Sequence, residues 1–103
     1  MTAGRKPVFR LYVSGATPKS AQAITNLRSV LDGLYEGGYE LGVIDIYQEP
    51  PMAIAARIFA VPMLIREYPL PILRRAGNFS SIEHIRRMLS ASHPHGSPDE
   101  RDG

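Results

Sequence analysis

The sequence predicts a single α/β domain with the element order βαβαββα, and three observations carry that reading. Two apolar, β-branched and aromatic segments, Val8–Ser14 and Tyr39–Tyr47, flank a helical pattern from Pro18 to about Leu34. A proline-punctuated stretch then offers a short helix (Met52–Phe59) and two short strands (Met63–Tyr68 and Ile72–Ala76) around Pro69-Leu70-Pro71. An amphipathic pattern from Ser81 to about Ser90 closes the ordered part.

The near-continuous apolarity of VFRLYVS suits a strand covered on both faces. The break after it, Ser14-Gly15-Ala16-Thr17-Pro18, supplies a turn glycine, a capping threonine and a proline at the first helical position. Ala23, Leu27, Val30, Leu31 and Leu34 then form one apolar stripe, with Lys19, Gln22, Asn26 and Arg28 away from it. Gly37-Gly38 ends the helix. Strand, helix and strand in this order read as a βαβ unit with parallel strands.

Gln48-Glu49-Pro50-Pro51 reads as a stop before the short helix, and Ala60-Val61-Pro62 as its end, because the residue before proline is driven out of the helical region. Pro69 and Pro71 cannot donate to a ladder and belong at a hairpin tip. Ser80 and Glu83 have the spacing of a capping box for the last helix, whose stripe is Ile82, Ile85, Met88 and Leu89. The expected division is a domain over 1–91 and a disordered tail over 92–103, SHPHGSPDERDG, which is polar and aperiodic.

Composition excludes several functions. The 103 residues contain no cysteine, which removes disulfides, thiolate nucleophiles and Cys-x-x-Cys redox chemistry together. A chain this short buries only about 60–65% of its unfolded surface, so assembly would help it. MTAGRKPVFRLYV has no apolar core of a signal peptide and no run approaches a membrane span, so a cytoplasmic protein is expected. Twelve basic against ten acidic residues give a net charge of +2, too weak and too scattered for a nucleic-acid-binding stripe.

The remaining motifs have plain readings. Gly15 before a helix start could present N–H groups to a phosphate, but a turn explains it and no glycine-rich phosphate loop is present. His93-Pro94-His95 lacks the further ligands a metal needs, so no metal or cofactor is expected. Asp45 reads as a hydrogen-bonded acid at a strand end before it reads as a catalyst. Arg86-Arg87 reads as solvated surface, whereas Arg74-Arg75, one on each face of a strand, suits a partner contact.

The pattern βαβ-α-Pro-ββ-α, with Val61-Pro62 opening the third strand, resembles the thioredoxin architecture, where that proline is cis; the sequence alone leaves cis and trans open here. The position of the redox cysteines is held by Ser14-Gly15-Ala16-Thr17-Pro18, which has neither thiol nor neighbouring base. More specifically, the chain resembles the KaiB family. Leu11-Tyr12-Val13-Ser14-Gly15-Ala16-Thr17-Pro18 is similar to the family's LYVAGNTP, Val43-Ile44-Asp45-Ile46 to VIDV, and Ala60-Val61-Pro62-Met63-Leu64 to ATPTL. Pro69, Pro71, Arg74 and Gly77 match LPPPVRRIIGDLS without a gap, and the likeness runs from about Phe9 to Ser80.

The resemblance implies a non-enzymatic, thioredoxin-like, fold-switching clock protein that binds a KaiC-like ATPase and self-associates as a dimer or tetramer. It also implies a second arrangement, a ground state in which the same second half is ordered βαββααβ. Arg10, Arg57, Arg66 and Arg74 stand at basic positions of the family and are the expected partner contacts. Pro62, Pro71, Gly77 and Asn78 are the expected structural or switch positions. Ile54-Ala55-Ala56, Gln22, Leu73, Arg75 and Asn78 depart from the family pattern and mark the chain as divergent. Two other readings of the residues are a cysteine-free thioredoxin-fold enzyme using a thiol cofactor and a generic interaction module.

Overall fold

The computed structural model describes residues 5–90. The expected tail and His93-Pro94-His95 lie outside them. Seven elements follow in the predicted order: β1 (Val8–Val13), α1 (Pro18–Leu34), β2 (Glu40–Asp45), α2 (Pro50–Ala55), β3 (Met63–Tyr68), β4 (Leu73–Ala76) and α3 (Ile82–Ser90). The sheet is ordered β2-β1-β3-β4. β1 pairs parallel with β2, so α1 is the crossover the parallel register requires. β3 runs antiparallel to β1, and β4 antiparallel to β3.

Because β1 lies inside the sheet, its alternating side chains feed two cores. Phe9, Leu11 and Val13 point to the face covered by α1 and α3, where they meet Leu27, Leu31, Leu64, Phe79 and Ile85. Tyr12 points to the other face, where it joins Ile44 and Ile65 beneath α2. The first core is the larger, and Leu11, Leu27, Leu31 and Ile85 in it are fully buried. The second is closed by half-buried Met52, Ala56 and Ile58, and α2 itself has no fully buried residue. No helix among the described residues is long and apolar enough to cross a membrane.

The structure corrects several boundaries. α2 begins at Pro50 rather than Met52: Pro50 and Pro51 occupy first-turn positions, where a missing N–H costs nothing and the fixed φ is already helical. Leu34 leaves the predicted stripe and is 48% exposed, while Ser20 takes a buried place on α1. No Ser80–Glu83 capping box forms. Ser81 caps α3 instead, its Oγ accepting the His84 N–H at 3.2 Å, because Ser80 is bound to the Asn78 side chain. Thr17 caps α1 as expected, accepting the Ser20 N–H at 3.0 Å.

Candidate functional site

The thioredoxin-like position at the start of α1 is a braced turn. Gly15 adopts φ +81°, a left-handed conformation that side chains resist. Its N–H donates to Asp45 Oδ1 at 3.0 Å, and the same oxygen accepts the Tyr47 N–H at 2.9 Å. Asp45 therefore ties the β1–α1 turn to the end of β2, the structural role its strand-end position predicts. A carboxylate on the Gly15 N–H also disposes of the phosphate reading, since it occupies the donor with a negative charge. Thr17 is engaged in capping, and its Oγ1–H reaches Ser20 Oγ at 3.1 Å.

Val61-Pro62 is cis, as are Tyr68-Pro69 and Leu70-Pro71. Pro62 stands beside Gly77, Asn78 and Phe79 across a shallow depression from Lys19 and Ala23. Gly77, directly after β4, lies close against α3: a Cβ there would approach Met88 Sδ to 3.1 Å and His84 Nε2 to 3.6 Å. Asn78 Oδ1 accepts the Ser80 N–H and hydroxyl, which folds the turn leading into α3. Asn26 of α1 holds the same turn by donating to the Phe79 carbonyl at 3.0 Å. No signal in the sequence connects residues 53 apart in this way.

The four expected contact arginines divide between the sheet faces. In the β3–β4 register Arg66 opposes Leu73 and Ile65 opposes Arg74, so Arg66 shares the α1/α3 face with Arg75 while Arg74 turns to the α2 face. Arg10 lies on the α2 face and pairs with Glu67 at 3.0 Å, both side chains more than a third exposed. Arg66 donates from Nη2 to the Pro71 carbonyl at 3.0 Å, closing the proline hairpin on itself. The structure thus brings Arg57 and Arg74 together, sets Arg10 on the same face, and places Arg66 opposite.

The contact between Arg57 and Arg74 is made through the backbone. α2 ends in a left-handed turn at Arg57, φ +57°, in which the Arg57 N–H donates to Ile54 O and the Ile58 N–H to Ala53 O, both at 3.0 Å. The Arg74 guanidinium caps what remains, donating to Ala56 O at 2.8 Å and Arg57 O at 2.7 Å. A cation at the C-terminal carbonyls of a helix is favoured by charge as well as by hydrogen bonding. This clamp leaves Arg57 exposed between Ile54, 76% exposed, and Phe59, 90% exposed. The end of α2 is therefore an apolar projection with a cation at its centre, held to β4 by Arg74.

The architecture and the thiol-free turn define a thioredoxin-like protein lacking the redox cysteines. Among solved structures, the N-terminal domain of Synechococcus elongatus SasA is similar with a TM-score of 0.73, at 16% identity over 88% of this chain and 86% of that one. The Drosophila melanogaster thioredoxin Deadhead follows the same fold with a TM-score of 0.64, at 11% identity over 85% and 82% of the two chains. The KaiB domain model matches residues 10–91. The circadian clock oscillator protein KaiB of Prochlorococcus marinus is 36% identical over 85 residues, covering 82% of this chain and 81% of its own. That of Synechococcus elongatus is 37% identical over 78 residues, 76% of each chain. The chain belongs to the KaiB family.

Proposed function

We propose that this chain is a non-catalytic KaiB-type regulator that binds a KaiC-like ATPase in circadian timing or a related stress response. The observation that carries this reading is the KaiB match over residues 10–91 on a chain whose second half has the thioredoxin-like order. The cysteine-free turn after β1, with its donor engaged by Asp45, favours binding over redox catalysis. We place the contact surface on the α2 face. Phe59 and Ile54 are the apolar anchors, Arg57 the central cation, and Arg10 and Arg74 the flanking ones; exposed aromatic and arginine side chains are the residue types that dominate interface energies. Arg66, also expected as a contact, lies on the opposite sheet face, and this proposed surface does not include it.

The same reading makes Pro62, Pro71, Gly77 and Asn78 positions in a half of the chain that repacks between two arrangements of similar free energy, which the partner selects by binding one of them. It includes self-association to a dimer or tetramer in the other arrangement, and a cytoplasmic location. The test is to mix the full chain with the KaiC-type ATPase of its own host in the presence of nucleotide and follow complex formation by sedimentation velocity. A stable complex at low micromolar concentration is expected. No complex at high micromolar concentration would overturn the assignment.

A further inference from the structure

Between the α1 C-terminus, the β3–β4 hairpin and the α3 C-terminus lies a cleft of about 370 Å³, away from the α2 face. That volume is at the lower end of the range for small-molecule sites, about 300–1,000 Å³. Its floor and walls are Leu34, Leu64, Leu73 and Leu89. Leu70 also lines it, and both Leu34 and Leu70 are exposed, apolar surface that no described element covers.

Arg66 and Arg75 line this apolar space, and among the described residues no acidic side chain does. Arg66 and Arg75 are diagonal neighbours on the same sheet face, one on β3 and one on β4. In that relation backbones stand about 7–8 Å apart, close enough for both side chains to grip one small anion. Neither has a carboxylate partner: the ion pairs among the described residues are Arg10–Glu67 and Arg86–Glu83. Arg75 spends one Nη1 donor on the Arg74 carbonyl and Arg66 one Nη2 donor on Pro71. The buried Nε of Arg66 has no hydrogen-bond partner among the described residues. Each guanidinium carries five donors, so most remain unused.

We propose that this cleft binds a small amphipathic monocarboxylate, its hydrocarbon body against the leucines and its carboxylate between Arg66 and Arg75. Leucine walls select an apolar body, and paired guanidiniums select a planar, bidentate anion over a hydroxyl or an ammonium. The site lies on the sheet face opposite the proposed partner surface, so it adds a ligand to the protein and does not restate the partner contact. Arg75 is one of the positions at which this chain departs from the family pattern, so the second half of the anion grip belongs to this chain.

The test is titration of the full-length, methyl-labelled protein with hexanoate, octanoate and decanoate below their micellar concentrations, with decan-1-ol as the neutral control. Saturable shifts confined to the methyls of Leu34, Leu64, Leu73 and Leu89 are expected. Affinity should rise roughly three- to fourfold per added methylene until the cleft is filled. Decan-1-ol should bind about tenfold more weakly, and R75Q should weaken decanoate about tenfold while leaving decan-1-ol unchanged. Retained decan-1-ol binding shows that the variant's cleft is intact, and R66Q provides the same comparison from the other strand. Equal binding of acid and alcohol, decanoate binding unaltered in R75Q, or no shift up to the solubility limit would overturn the proposal. So would nuclear Overhauser contacts from residues 91–103 to these leucines in the free protein, which would give the cleft to the chain's own C-terminal segment.

Discussion

The two faces of the sheet are built to different specifications. The α1/α3 face packs two helices of 17 and 9 residues over a continuous apolar core in which Phe9, Leu11, Leu27, Leu31, Leu64 and Ile85 are almost wholly removed from water. The α2 face carries one six-residue helix that buries no residue completely and covers a core of three, Tyr12, Ile44 and Ile65. Isolated helices of that length are far too short to be stable, so α2 depends on what holds it from outside. The Arg74 clamp, the left-handed turn at Arg57 and half-buried Met52 and Ile58 are those holds. One face keeps the domain folded; the other is thin enough to present side chains to a partner or to come apart locally.

The largest expected effect tests the first half of that contrast. Leu27→Ala should cost about 2–5 kcal/mol in urea or thermal unfolding, because a fully buried leucine leaves a cavity among rigid neighbours. Met52→Ala, on a half-buried flexible side chain of α2, should cost about 1 kcal/mol or less. Similar losses for the two would erase the distinction between the faces.

Arg74→Ala sharpens the comparison. It removes two short charge-assisted bonds and leaves the Ala56 and Arg57 carbonyls uncapped, with an expected cost of about 1–2 kcal/mol, discounted for exposure. The loss should be local. Amide exchange at Ala56, Arg57 and Ile58 should accelerate tenfold or more, while Leu27 and Leu31 in α1 follow only the small global change. Uniform acceleration would show that α2 is not independently held.

Most of the architecture was readable from local code, and what escaped was long-range. The Thr17 cap with Pro18, the proline hairpin and the near-continuous apolarity of β1, which feeds cores on both faces, each speak through neighbouring residues, and each is found where the sequence puts it. The start of α2 was misplaced because two prolines read as a stop, although both sit where a helix needs no donor. The α3 cap moved by one residue because Asn78 competes for Ser80, a side-chain contest that spacing cannot rank. The division of the arginines was hidden for a stronger reason. Whether Arg66 and Arg74 share a face depends on strand register, and one residue of slip reverses it. Nothing in the sequence showed that Arg74 would grip the end of α2 or that Asn26 would hold the turn before α3.

Two smaller effects complete the series. Arg57→Gly should raise stability by up to about 1 kcal/mol, since glycine adopts the +57° φ without strain, yet it should weaken partner binding if Arg57 is the central cation. Stability and affinity moving in opposite directions would mark a residue kept for contact. On the robust face, the Tyr39 hydroxyl donates to Asp32 Oδ1 at 2.6 Å. That hydrogen bond, helped by partial burial and the carboxylate's charge, raises the phenol's pKa above its ordinary value near 10. A raised folded-state value means the stabilisation is complete below about pH 10 and is lost as pH climbs through the folded pKa. Tyr39→Phe should cost less than about 1 kcal/mol at neutral pH and abolish that alkaline component in a stability–pH profile.

The central claim is that the thin α2 face is the working face, and hydrogen exchange of the full chain with and without the KaiC-type ATPase tests it most directly. Protection is expected over residues 50–61 and 73–76, with α1 and α3 unchanged and with Phe59→Ala weakening the complex at least tenfold. Protection over α1 and α3 with α2 exchanging as in the free protein would contradict the account.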